Sequence, residues 1–247
     1  MKKETIRWNR YVGIIFITIP FLVQIPYTIL IVNFQYPDIL RKSTETILTE
    51  FHKGGSSLVW TWWFFGISGL PLLFGYLHLY QISKSNHPLF SLAAVIFGIV
   101  SLFFQLIGLL RWVFVVPILT NLYFDPLSID LVKAAVLVNF QTIHHLFGVL
   151  IGEHLGQLFT IFWMLMVSIM IWKDHLLPSW LAVFGMISSL VYFLAQWELF
   201  AIVIPNVKEI PFAGLLGSLC WLFWMVFLGI QILKKSFVSD QYGIKEH

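Results

Sequence analysis

The chain has 247 residues, of which 59% are hydrophobic and 11% charged, and its formal net charge is +3. A soluble globular domain carries about 25% charged residues, so less than half the usual water-facing material is present, and the mean hydropathy is +0.85. That excludes an ordinary soluble domain; the small charge without a Lys/Arg cluster argues against a nucleic-acid partner, and the single cysteine, Cys220, excludes a disulfide framework and a cysteine zinc site.

The N-terminus, MKKETIRWNRYVGIIFITIPFLVQIPYTILIV, sets Lys2, Lys3, Arg7 and Arg10 ahead of an apolar run from Tyr11 to Val32. A secretory signal has an apolar region of about 7–15 residues and a small-residue cleavage site. This run is longer and no Ala-x-Ala follows, so it reads as a retained span over residues 11–32. A helix crossing the hydrocarbon core needs about 20 apolar residues, and five further runs qualify, at 58–82, 89–110, 151–172, 180–204 and 212–233. They are continuous rather than alternating, and only helices or closed barrels satisfy a backbone in lipid, so helices are predicted.

The connections add detail. In PDILRKSTETILTEFHKGG, the positions of Leu40, Thr44, Ile47, Leu48 and Phe51 have helical spacing and predict an amphipathic helix on the outer surface. Residues 128–150 are too apolar for a free loop: LVKAAVLVNFQTIHHLFGVL, from Leu131 to Leu150, is either a seventh span or an interfacial or re-entrant helix. Lys and Arg concentrate on cytoplasmic loops. Six spans place nine of them inside (Lys2, Lys3, Arg7, Arg10, Lys84, Lys173, Lys234, Lys235, Lys245) and six outside (Arg41, Lys42, Lys53, Arg111, Lys133, Lys208). A seventh span would move Lys234 and Lys235 outside. The fold class is therefore read as all-α, a polytopic integral membrane protein: one transmembrane domain over 1–247, a six-helix bundle with an outer amphipathic helix and both termini cytoplasmic. Pro20, Pro26 and Pro71 are expected to kink their helices.

Arg111, Glu153 and Glu198 stay within or at the rim of apolar stretches, with His78 and His154 beside them. A charge at the bilayer centre costs about 2.5–3.5 kcal/mol on translocon scales, so such groups sit near a helix end, face protein or pair. On the six-span topology Arg111 closes the third span at its outer end and Glu153 opens the fourth from the same side. Glu198 lies ~27 Å from the inner boundary of the fifth span, at a rise of ~1.5 Å per residue. His144, His145 and His154 share that depth, and a polar layer beneath the outer leaflet is predicted, with Arg111 as counter-ion of Glu153 or Glu198. Gly148, Gly152, Gly156 and Thr160 recur every four residues, a stripe of small residues that lets helices approach. At ~100° per residue Gln141 and His145 fall on that stripe, Glu153 lies at its edge and His154 points away. Gln157, like Gln105 and Gln196, reads as an interhelical hydrogen-bond former. A structural ion pair is the plainer reading of Arg111 with either glutamate.

No phosphate-binding loop, dinucleotide fingerprint, Gly-x-Ser-x-Gly elbow or His-Glu-x-x-His helix occurs, so no cofactor is indicated. His144, His145, His154 and the glutamates are metal-capable, which keeps a zinc or iron site open. Haem needs two histidines at one depth on two helices, whereas the outer histidines come from one segment.

GLLRWVFVVPIL (108–119), HHLFGVLIGEHLGQLFTIFW (144–163), LPSWLAVFG (177–185) and AQWELFAIVIP (195–205) follow in this order. Through them the chain from Trp60 to Leu233 resembles the bacterial multi-span family designated domain of unknown function 4386. The resemblance implies a bacterial plasma-membrane protein of six or seven helices and brings no catalytic residue; Arg111, Glu153 and His154 lie in its most specific blocks. Three functions are compatible with these features. One is binding or transport of a small molecule or ion through the layer of Arg111, Glu153, His154, Glu198, His144, His145 and Gln157. A second is a membrane-embedded metal-dependent hydrolase, and a third is a structural or sensory partner of another membrane protein or of a second copy.

Overall fold

A computed structural model of the chain describes residues 3–83, 87–210 and 212–242. The fold is 88% helical, with no strand among the described residues. The order is α1 (Lys3–Phe34), a 3-10 turn (Asp38–Arg41), α2 (Thr44–Ser68), α3 (Leu72–Ser83), α4 (Pro88–Phe114), α5 (Val116–Phe124), α6 (Asp130–Ile143), a π-helical segment (His144–Leu155), α7 (Gly156–Asp174), α8 (Ser179–Leu194), α9 (Gln196–Val203) and α10 (Ala213–Tyr242).

Among the described residues six helical stretches are long and apolar enough to cross a membrane: Glu4–Phe34, Thr44–Ser83, Pro88–Phe124, Asp130–Asp174, Ser179–Val203 and Ala213–Ser236. Their apolar side chains are far from fully covered. Phe21, Ile25, Leu92, Ile107, Leu190 and Phe223 are all exposed, and so much contiguous apolar surface on helices of this length is suited to lipid rather than water. Six agrees with the count drawn from the sequence, and 131–150 continues without a break into the fourth stretch. Lys2, Lys84 and Lys245 of the charge tally lie outside the described residues.

Local chemistry sets the boundaries. Ser43 caps α2, its hydroxyl accepting from the Thr46 N–H at 3.3 Å. Pro71, at the turn between α2 and α3, and Pro117, in the first turn of α5, fall where a missing N–H is tolerated. Pro20 and Pro26 are carried inside α1, which continues through both. Within α2, Gly55 adopts φ 54°, ψ −150°, a conformation essentially reserved for glycine. Of the amphipathic face predicted ahead of it, Leu40, Thr44, Ile47, Leu48 and Phe51 are all buried by protein.

Hydroxyls inside the apolar stretches mostly bond to their own helix. Thr18, Thr61, Ser83, Thr142, Ser168 and Ser189 each donate to the carbonyl four residues back, at 2.7–3.1 Å.

The chain forms two compact units. One comprises the described residues of Met1–Phe21, Leu70–Leu102 and Gln157–His247, the other Leu22–Gly69 and Phe103–Gly156. In the first, α8 packs along α10, and the buried Trp163 and Trp224 meet edge to face at 5.4 Å. Tyr76 packs on Trp163 at 4.6 Å, and the Trp224 indole donates to the Leu181 carbonyl at 3.1 Å. Hydroxyls of Ser101 and Thr160 pair at 2.5 Å, and His78 pairs with the Asn9 side-chain oxygen at 2.5 Å. His78 is thus a hydrogen-bonded core residue rather than an interfacial one. In the second unit, residues from α1, α2, the 3-10 turn, α4, α5 and α6 form one apolar core that includes Phe34, Leu48, Phe51, Trp62, Trp112 and Phe140.

Candidate functional site

The second unit places a buried arginine against an aromatic core. On α4, Gln105, Gly108 and Arg111 are spaced three apart and share a helix face. That face meets the glycine stripe residue by residue. A Cβ added to Gly156 would lie 2.8 Å from Gln105 Cγ, one on Gly152 3.0 Å from Gly108 Cα, and one on Gly148 2.5 Å from Arg111 Nη2. The glycines therefore let α4 approach to backbone contact at Gly108–Gly152 and leave room for the guanidinium at Gly148.

The stripe runs through the π-helical segment. Such helices are rare, occur mostly as single turns, and are frequent at functional sites; this one extends over 12 residues, His144–Leu155. Its wider turn defeats the 100° arithmetic of an α-helix. Gln141 and His145 are exposed while Gly148 is buried, so the three do not share one face.

Arg111 is only 7% exposed. Its Nη1 donates to the Gly108 carbonyl of its own helix, and its guanidinium lies 5.0 Å from the centre of the Trp112 ring, a cation–π distance. Among the described residues no carboxylate lies within 4 Å of it. Glu153 pairs instead with Arg41, whose Nη2 donates to Oε2 at 2.8 Å. The expected Arg111–Glu153 contact is thus replaced, because the 3-10 turn after Pro37 brings a connecting-loop arginine to the carboxylate. Arg111 remains within electrostatic reach of Glu153, Tyr36 and Arg41. The set holds two guanidiniums and one carboxylate, and the other carboxylate oxygen, Oε1, is buried without a hydrogen-bond partner among the described residues. Burial, with Glu153 and then Tyr27 adding to it and Arg111 and Arg41 opposing, pushes the Tyr36 phenol well above its ordinary range. It stays a neutral hydrogen-bonding group at physiological pH.

The aromatic wall is continuous. Trp112 is fully buried, stacked on Trp62 at 5.0 Å and on Phe51 at 5.6 Å, with Phe34 edge-on at 5.3 Å. His144, 5% exposed, stacks on Phe140 at 5.6 Å and meets Trp112 at 6.4 Å. Among the described residues neither ring nitrogen has a partner of good geometry, the Leu40 backbone only approaching the ring, and the Trp62 indole N–H is also buried and unpartnered. Buried polar atoms ordinarily find partners, so three unsatisfied nitrogens around Trp112 call for explanation.

The layer read from sequence is divided between the units. Arg111, Glu153, His144, His145 and His154 belong to the second, where His154 is half-buried beside Glu153 and His145 is exposed, its Nδ1 bonded to the Gln141 carbonyl at 2.9 Å. Gln157 and Glu198 belong to the first. There Gln157 accepts from Gln196 at 2.7 Å, and Glu198 faces Gly214, 3.8 Å from where a Cβ would stand. Sequence reasoning missed Arg41 and Tyr36, which look like ordinary loop residues. The available signal was the Ile39–Leu40 pair beside Arg41, too apolar for a free turn and buried in the structure.

Arg41→Ala is expected to lower stability by about 1–3 kcal/mol, because it leaves Glu153 with neither oxygen satisfied. Thermal unfolding in detergent measures it, and Lys42→Ala, whose side chain forms no ion pair among the described residues, should stay within about 0.5 kcal/mol.

A backbone that is 88% helical and six membrane-length apolar stretches among the described residues define a polytopic membrane protein. The model of the family described as Domain of unknown function (DUF4386) matches residues 11–229, and the chain belongs to that family. No curated protein and no solved structure matches it.

Proposed function

We propose that this chain is a multi-pass protein of the bacterial plasma membrane, with both termini cytoplasmic, that binds a small anionic molecule at Arg111 and Arg41. The observation that carries the reading is the buried Arg111 guanidinium with no carboxylate within 4 Å among the described residues. A buried charge costs several kcal/mol unless paired, and an ionisable group inside a membrane stretch marks function by default. The single charge of Arg111, unmatched by a carboxylate among the described residues, favours a monoanion. The Trp112 wall and the unsatisfied nitrogens of His144 and Trp62 favour one with a flat or apolar body and a further hydrogen-bonding group.

A metal-dependent hydrolase is less well supported, because a catalytic zinc takes three protein donors, and no three His, Cys, Asp or Glu side chains are so grouped among the described residues.

Arg111→Met tests the reading against a purely structural brace. Exchanging a buried ion for an apolar side chain of similar length is often neutral or stabilising, so the variant is expected to fold with an unchanged or higher melting temperature. Thermal shift with benzoate and inorganic phosphate as probes should show stabilisation of the native protein that Arg111→Met loses. A native protein indifferent to a panel of small anions, or a methionine variant that responds as the native one does, would overturn it.

A further inference from the structure

The first unit contains a cavity of about 270 Å³ that takes no part in the site above. Its lining is graded. Gln81 is exposed, and Thr5 and Lys235 are half-buried, whereas Val167, Met170 and Ile171 are buried, so a polar rim leads to an apolar floor. Two further polar residues of the lining are already engaged: the Ser83 hydroxyl donates to Leu79 and pairs with Ser91, and the Asn9 side-chain oxygen is bonded to His78. Among the described residues Lys235 is the only charged one lining the cavity, and no carboxylate lies within 4 Å of it. Asp174, one turn beyond Met170, is held by His87 at 3.0 Å and does not line the space.

We infer that this cavity binds one end of an anionic amphiphile, its carboxylate or phosphate on the Lys235 ammonium and its alkyl chain on the Val167–Met170–Ile171 floor. A hydrated inorganic anion gains nothing from that floor, and a neutral or cationic amphiphile leaves the one ammonium unmatched or repelled. The volume, just under the usual range for whole-ligand pockets, suits a head and the first part of a chain. The head belongs either to a membrane phospholipid or to a soluble alkyl anion; both present the same chemistry to the rim.

The test uses the full chain purified in a neutral detergent. Decanoate and decyl phosphate at saturation are expected to raise the melting temperature by about 3 °C or more, and decanol and decyltrimethylammonium to leave it unchanged. Lys235→Gln should abolish the anion response, Lys235→Arg should keep it, and Arg111→Met should keep it as well, which separates this site from the one proposed above. Mass spectrometry of co-purified lipid then names the source. An anionic phospholipid retained by the native protein and lost from Lys235→Gln identifies the lipid head; a shift without retained lipid identifies a soluble anion. Equal shifts from all four decyl probes, no shift from any, or an unchanged response in Lys235→Gln would overturn the inference.

Discussion

Gly108→Ala is expected to lower stability by about 1–3 kcal/mol or more, although it adds one methyl group to a good helix former. The added carbon would stand 2.6 Å from Gly152 Cα and 3.0 Å from the Phe147 carbonyl oxygen. Both obstacles are backbone, so neither can rotate away, and α4 has to separate from the π-helical segment. For a chain of this size each kcal/mol moves the melting temperature by roughly 2–4 °C. Gly66→Ala is the control: the tightest contact of its Cβ would be the tip of Leu110, at 3.3 Å, and a small shift of either sign is expected. Since Arg111 lies one turn beyond Gly108 on the same face, the alanine variant should also lose any stabilisation by benzoate. A Gly108→Ala protein as stable as the native one would mean that the two backbones do not touch.

Trp112→Ala should be the most damaging single truncation in the second unit, at about 3–5 kcal/mol. The side chain is wholly buried and forms the centre of the aromatic core, with Trp62 and Phe51 stacked on it and Phe34 and Phe140 against its edges. Trp112→Phe retains part of that stacking and should cost less. Trp60→Ala, at a position 66% exposed, should change stability by no more than about 0.5 kcal/mol. Denaturation followed by near-ultraviolet circular dichroism reports both variants, because the signal of the stacked indoles disappears with Trp112 and survives without Trp60. Equal effects at the two positions would contradict the packing described.

Which features of this fold were visible in the amino-acid order follows from the physics of each signal. Apolar run length reports on lipid directly, so six crossings were countable without coordinates. The buried face of Leu40, Thr44, Ile47, Leu48 and Phe51 was visible because it lies mostly on regular α-helix, where the period holds. The same period misled at Gln141 and His145, because the π-helical segment turns more widely and no residue type announces it. The glycine spacing was plain to see, but not that Gln105, Gly108 and Arg111 face it, since a helix pairing leaves no mark on one strand of sequence. Arg41 was hidden for a different reason. A basic residue in a short polar connection looks solvated, and only the folded turn reveals that it holds Glu153. Charge type in an apolar context singled out Arg111 and Glu153, while the choice of partner depended on a turn.

The self-bonded hydroxyls have a consequence for how this chain enters a bilayer. Serines and threonines such as Thr18, Thr61, Ser168 and Ser189 close their hydrogen bonds on the carbonyl four residues back, within the span that carries them. A newly made segment can therefore leave the translocon with those groups already quenched, before any neighbouring helix arrives. The charges of Arg111 and Glu153 are not neutralised by a carbonyl of their own helix, so the hard part of biogenesis falls on the third and fourth segments, which must find protein or a ligand for those charges after insertion.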